Sequence, residues 1–268
     1  MSRALRTSAT GMVAQQLNID NISNNLSNVN TTGFKKSKAE FQDLLYQTVR
    51  TAGTSAAQGA LVPVEIQIGY GTRVVATQRI FDQGQVTATN NTLDLAIENE
   101  GINGDGFFRI SLPDGTTTAY SRDGAFKLSS EGQMVTSDGF ALDPPVTIPE
   151  GAVSVSVSAD GNIEVLQAGE TQATGVGQIQ LTKFINPAGL RSIGRNLFLE
   201  TEASGPPIDG DPNTEGFGRI SQGFLELSNV DVVEELVNMI MAQRTYEVNA
   251  RAIRTSDEMM RETNNIVN

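Results

Sequence analysis

Chemistry in a protein starts from side chains that can bind a metal, move a proton or attack a bond, and few such arrangements can be drawn from these 268 residues. Asp209-Gly210-Asp211-Pro212-Asn213 opens like a calcium loop, in which alternate side chains offer oxygens to a hard cation. That pattern goes on to require Gly at the sixth position and Glu at the twelfth, and Thr214 and Ile220 stand there. A surface loop is therefore expected. Gly101, Gly104 and Gly106 are spaced like a phosphate-cradling turn, but no Lys-Ser/Thr follows and the flanking residues read as strand. Carboxylates are plentiful, yet no pair can be singled out for acid–base work. Met239, Met241, Met259 and Met260 fit packing or an interface better than a cofactor site.

The chain has no histidine and no cysteine. That removes Ser-His-Asp and Cys-His nucleophiles, imidazole or thiolate zinc sites, disulfides and the usual general base near neutral pH. Carboxylate, Lys, Tyr or Ser chemistry remains open in principle, but the expectation is a non-enzyme with no cofactor and no metal. The net charge is −12. A nucleic-acid binder needs a basic surface to displace counterions, and anionic lipid would repel an acidic one, so neither partner is expected. The opening MSRALRTSATGMVAQQLNID lacks the run of ~7–15 apolar residues of a secretory leader. No stretch approaches the ~20 apolar residues of a membrane span. The expectation is a cytosolic chain, or one exported without a cleaved leader.

Since no reactive constellation stands out, the elements carry the reading. Both ends read as helix and the middle as strand. From Ser2 to about Val29 there is no Pro and one Gly, Gly11. Leu5, Met12, Ile19 and Leu26 recur every seven residues, with Ile22 and Val29 near the same face, which makes a heptad-like stripe. Ser8 and Gln15 weaken it, so the helix is expected to be marginal alone. Asn28-Val29-Asn30-Thr31-Thr32-Gly33 closes it. A second, short helical pattern is read from Lys38 to about Val49, carrying Phe41, Leu44, Leu45 and Tyr46. Residues 51–72 read as a connector, first small and flexible, then extended, with Val62, Val64, Ile66 and Ile68 alternating with Pro63, Glu65 and Gln67.

From Arg73 to about Gly223 short β-favouring runs alternate with turns such as Asp105-Gly106, Asp123-Gly124, Asp138-Gly139 and Asp160-Gly161, the punctuation of hairpins. The helical period returns near Asn229, with Asn229 or Asp231 available as N-cap and Glu234 and Glu235 in the first turn. Val232, Met239, Tyr246, Ile253 and Met260 recur every seven residues, with Leu236 beside them. No Gly or Pro interrupts the run to the end. The expected fold is α+β: long N- and C-terminal helices forming a coiled-coil-like pair, with an inserted all-β domain. The expected division is 1–50 helical assembly segment, 51–72 connector, 73–223 β body and 224–268 assembly helix.

Two long amphipathic termini on one chain suit assembly. Their stripes are thin for a pair that must order both ends by itself, and equivalent helices of other copies would supply the missing burial. Head-to-tail contacts that do not close into a ring build a helical filament. Residues 1–50 carry six Lys or Arg against three Asp or Glu, and residues 230–268 four against seven, a bias that favours pairing between the ends.

Three stretches carry a resemblance. Ile22-Ser23-Asn24-Asn25-Leu26-Ser27-Asn28-Val29-Asn30-Thr31-Thr32-Gly33-Phe34-Lys35 resembles the signature of the flagellar rod and hook family. SNVDVVEELVNMIMAQRTYEVNARAIRTSDEMM resembles its terminal motif, and GDGFFRISLPDGTTTAYSRDGAF the opening of its β domain. The opening residues and the stretch 51–86, which contains the connector, are most similar to the distal-rod branch. The resemblance implies a rigid tube that transmits motor torque through the periplasm inside the L and P rings. It also implies axial neighbours from the rod and hook, and export, unprocessed, by the flagellar type III apparatus. It places Asn24, Asn25, Asn28, Asn30, Gly33 and Phe34 at a helix end and turn near subunit contacts. With the heptad residues Leu5, Met12, Ile19, Ile22, Leu26, Val29, Val232, Leu236, Met239, Tyr246, Ile253 and Met260, these form the expected assembly interface.

Three other readings stay open at this point: a proximal rod or hook subunit, a secreted β-domain binding module, and a carboxylate-based wall hydrolase. Deleting residues 51–70 separates the first, since filament straightness should change in a distal-rod subunit, and limited proteolysis tests for assembly through the termini. Assembly through the termini predicts that the monomer is cut at both ends and leaves a resistant core at about residues 70–225, whereas a free-standing binding module would resist throughout.

Overall fold

The computed structural model describes residues 3–52, 55–57, 60–61, 64–99, 106–115, 117–170, 172–214 and 216–267. Of the sequence features above, Val62, Pro63, Gly101, Gly104 and Asp105 lie outside them. The fold is α+β, with α1 at Arg3–Ser27, β1 at Ser37–Asp43, β2 at Tyr46–Arg50, β3 at Ser55–Ala57, β4 at Ala60–Leu61, β5 at Ile66–Gly69, β6 at Thr72–Arg79, a run of strands from Val86 to Glu226, and α2 at Val232–Val267. It divides into two compact units. One holds residues up to Ser27, Ser37–Arg79 and the chain from Asp231 onward; the other holds Asn28–Lys36 and Ile80–Val230.

In the helical unit α2 begins where the sequence places it. The Asp231 carboxylate accepts from the backbone N–H of Val233 (2.8 Å) and Glu234 (3.1 Å), satisfying two donors that the first helical turn leaves open. The helix runs 36 residues, about 54 Å at 1.5 Å per residue. It packs antiparallel to α1: Asn25 reaches Glu235 near one end of the pair, and Gly11 lies against Asn249 further along. A Cβ on Gly11 would stand 2.9 Å from the Asn249 side-chain nitrogen, so a larger residue there would displace the Asn249 amide.

The segment Lys38–Val49 is not helical. Ser37–Asp43 pairs antiparallel with Thr72–Arg79 and Tyr46–Arg50 with Ile66–Gly69. Between these ladders Leu44 N donates to Gly71 O and Tyr70 N to Leu45 O. The result is one long two-stranded ribbon, and the second half of the expected connector is its returning arm. Phe41, Leu45 and Tyr46, which suggested a helical face, are exposed. The backbone groups of this segment find partners about thirty residues away, and a local apolar pattern carries no record of such a partner. The strand Thr72–Arg79 consequently belongs with the helices, and the β body starts at Ile80 rather than Arg73.

In the β unit, β7 (Val86–Ala88) pairs with Phe224–Glu226 and β8 (Leu95–Glu98) with Arg219–Gln222. At its centre is β9 (Phe107–Ser111), which pairs along one side with β10 (Thr118–Ser121) and shares its other side between Ala141–Leu142 and Leu181–Lys183. Alternation along β9 feeds two clusters. Phe108 and Ile110 enter the main core with Leu95, Ile97, Ile163 and Leu197. Phe107 joins Tyr120, Phe184 and Phe198, with Phe81 and Phe107 edge-to-face at 5.4 Å, the arrangement aromatic quadrupoles prefer.

Residues 28–36 form a strap within this unit. Asn196 Nδ2 donates to Thr32 O (2.9 Å) and Thr32 Oγ1 to Asp123 Oδ1 (2.9 Å). Burial raises the Asp123 carboxyl pKa above the usual range, although Ala125 N–H and Thr32 both favour its ionised form. Gly33 has φ +66° and a Cβ there would lie 2.6 Å from Asp123 N, so conformation and space both demand glycine. Lys35 is wholly buried; its Nζ donates to Glu226 Oε1 (2.6 Å) and Asp82 O (2.7 Å). Glu226 Oε1 also accepts from Gly84 N (2.8 Å), and the buried Arg122 guanidinium lies 3.6 Å from Oε2 and over the Phe107 ring. Asn229 closes the strap, accepting from Lys36 N and donating to Ile80 O.

Removing one member of a buried ionic group strands the other in a medium that solvates it poorly. Glu226→Gln, which takes the shared carboxylate from the two buried cations Lys35 and Arg122, is therefore expected to lower the unfolding free energy by about 3–5 kcal/mol, read as a fall in the urea midpoint. A change below about 1 kcal/mol, the worth of an exposed pair, would contradict this role for the buried cluster.

Candidate assembly surface

The helical unit is built the reverse of an ordinary amphipathic pair. The side chains that α1 and α2 bury are mostly small or polar: Ala14, Ile22 and Asn25 on one, Glu235, Ala242 and Ser256 on the other. Glu235, Ala242, Asn249 and Ser256 stand seven residues apart, and so do Gly11, Asn18 and Asn25. The seam is thus heptad-spaced, but with Gly, Ala, Ser, Asn and Glu where a coiled coil places Leu and Ile.

One end of the seam is held by a polar network. Asn25 Nδ2 donates to Ser37 O (2.8 Å) and Glu235 Oε2 (3.4 Å), while Ser37 N donates back to Asn25 Oδ1 (3.0 Å). Asn21 Nδ2 also donates to Ser37 O (2.8 Å), and Ser37 Oγ to Asn21 Oδ1. α1, the start of β1 and α2 are thereby fixed in one register by groups that leave little polar capacity unused.

The larger apolar residues lie outside this seam. Val13, Leu17, Val233, Val237, Ile240, Met241 and Val248 are all exposed, Val233 to 70% and Met241 to 62%. Of the expected interface residues, Ile22 and Asn25 are buried between the elements of their own unit. Leu5, Met12, Ile19, Leu26, Met239, Ile253 and Met260 are half-buried beside the seam. Val232, Leu236 and Tyr246 are exposed, as are Asn24 and Asn30. Asn28 and Val29 are half-buried, and the Asn28 carbonyl accepts from Thr31 N. Gly33 and Phe34 are buried in the β unit, so the strap spends them on its own chain rather than presenting them to a neighbour.

Lys35, Arg122 and Glu226 were not singled out by the sequence reading. Lys35 and Glu226 are 191 positions apart, and no spacing rule joins them. A weak signal existed in α2, where Val233, Val237, Ile240 and Met241 make it apolar on more than one stripe. Asp209, first residue of the calcium-like loop, has its carboxylate on Arg109 (2.8 Å), and Asn213 Nδ2 donates to Asp160 Oδ1 (2.7 Å). These side chains are engaged by the chain itself.

Comparison with known proteins bears on what such a surface serves. Three family models match: the flagella basal body rod protein model over residues 5–35, the flagellar hook protein FlgE/F/G D1 domain over 101–165, and the flagellar basal body rod FlgEFG protein C-terminal model over 221–266. The flagellar basal-body rod protein FlgG of Borreliella burgdorferi is 52% identical, covering 99% of this chain and 99% of the relative. Those of Caulobacter vibrioides and Bacillus subtilis are 47% and 40% identical, covering 98% and 99% of this chain and 99% of each relative. With all three regions matched and identity of this order sustained from end to end, the chain belongs to the FlgG family of flagellar basal-body rod proteins.

Proposed function

We propose that the chain is a structural subunit of the flagellar basal-body rod, in its distal part, and that it polymerises through its helical unit. The observation that carries this reading is the inverted seam. Two long helices bury mostly small and polar residues together with Ile22 and leave Val13, Leu17, Val233, Val237, Ile240, Met241 and Val248 exposed. An exposed apolar surface of this extent is an interaction surface, and the family supplies the setting in which copies of one chain and its axial relatives are its natural cover.

The rest of the reading follows from that setting. The axial neighbours are further copies and other rod and hook subunits. The polymer is a stiff tube that carries motor torque across the periplasm within the L and P rings, and its subunits reach the growing end through the flagellar type III export apparatus. The β unit is closed around its own core by the strap. Among the described residues no helix is long and apolar enough to cross a membrane.

Val237→Ser with Ile240→Ser tests the assignment of the surface. Both positions are exposed, so the purified monomer is expected to unfold within about 0.5 kcal/mol of the parent. Cells carrying the pair as their only copy are expected to lose swarming and to yield basal bodies that lack the distal rod. Normal swarming with complete rods would remove the outer face of α2 from the assembly surface.

A further inference from the structure

The helical unit carries a concave as well as a convex apolar feature. The concave one is an open groove of about 460 Å³ alongside α1, lined chiefly by Ala9, Val13, Leu17, Leu44 and Val74, with Arg73 also in its wall. The convex one is the outward row of α2: Val233, Val237, Ile240, Met241 and Val248.

Helical geometry fixes where each lies. Successive residues turn by about 100° around the axis. Measured from Gly11 and Asn25, which meet Asn249 and Glu235 of α2, Ala9 therefore sits about 180°, Val13 about 140° and Leu17 about 100° around α1. Val233, Val237 and Ile240 sit roughly 180° from Glu235, Ala242 and Asn249, which face α1. The groove lies on the flank of α1 toward the ribbon, with the seam residue Ala14 at its edge, and the row is on the side of α2 turned away from α1. Within one chain the two cannot meet, whereas between copies they can.

Charge favours the same match. α1 and the ribbon Ser37–Arg79 together carry six basic and four acidic residues, and α2 carries four basic and six acidic. Opposite bias on the two surfaces steers them together and disfavours like against like.

We propose that the groove beside α1 and β6 is the seat for the outward row of α2 from a second copy of this chain. Because donor and acceptor surfaces differ, the contact is heterologous: each copy accepts one neighbour and offers itself to the next, and the array stays open unless the rotation closes it. This rests on the polymerising role proposed above and specifies which two surfaces join.

The cysteine-free chain makes the test direct. Leu17→Cys and Val237→Cys are introduced singly and together, with Val13→Cys and Ile240→Cys as a second pair in case the first fails to assemble. Each variant is expressed as the only copy, basal bodies are isolated and oxidised, and the products are resolved under denaturing, non-reducing conditions. The double variants are expected to give a ladder of disulfide-linked multimers that collapses on reduction, and each single variant a monomer. Complete rods whose double variants stay monomeric, or whose single variants dimerise like with like, would overturn the groove-to-row pairing and leave the rod assignment standing. If the unmodified chain is absent from isolated basal bodies, the rod assignment falls and the pairing falls with it.

Discussion

The constraint behind the rest of this structure is the way the two termini pair. A helix can satisfy its backbone alone, but its stability in water depends on burying one face. Here the buried faces meet through Gly11, Ala14, Asn25, Glu235, Ala242 and Ser256. Such a seam holds register well: Asn25 is tied to Ser37 and Glu235 at once, and an amide that must find these partners cannot slip by a turn without losing them. It buries little apolar surface, so the hydrophobic stabilisation that a helix of 36 residues could gain is left to whatever covers Val233, Val237 and Ile240. In the assembly proposed above, that surface supplies the driving force for association.

The β unit solves a different problem. It must leave one end of its strap at Ser27 and the other at Ser37, and the strap is anchored through side chains that tolerate little change. Lys35 lies in a fully buried site against Glu226, Gly33 is pressed against the Asp123 backbone at positive φ, and Asn229 holds both Lys36 and Ile80. Residues near the N-terminus thus complete a domain whose other strands begin more than forty positions later. The signature segment consequently serves two units in turn, its Ile22 and Asn25 working in the helical unit and its Gly33-Phe34-Lys35 in the β unit.

This division explains why the segment reads so strongly as a motif. Asparagines at a helix end usually invite interpretation as caps or as bridges to another chain. Asn25 bridges instead to β1 and α2 of the same chain, while Asn24 and Asn30 stay exposed. A run of specialised residues can reflect several short-range demands laid end to end rather than one binding site.

What the amino-acid order determined by itself was whatever repeats locally. The helix of α2 with its Asp231 cap follows from an unbroken 3.6-residue period, and the hairpins of the body follow from Asp-Gly pairs between β-favouring runs. The exclusion of imidazole and thiolate chemistry follows from the absence of two residue types. The motifs at both ends carry the likeness to the flagellar rod and hook family. Tertiary structure decided everything that depends on partners far apart in the chain. Ser37–Arg50 is a ribbon arm and not a helix because its hydrogen-bonding partner is Ile66–Arg79. Lys35 is a buried ion because Glu226 and Arg122 arrive from elsewhere. The heptad residues Val232 and Tyr246 are exposed, whereas Glu235 and Asn249 take the face of α2 that meets α1. A periodic pattern says that a helix has an apolar face, but which face is turned inward depends on the shape of the surface it meets, and that surface is written in another part of the chain.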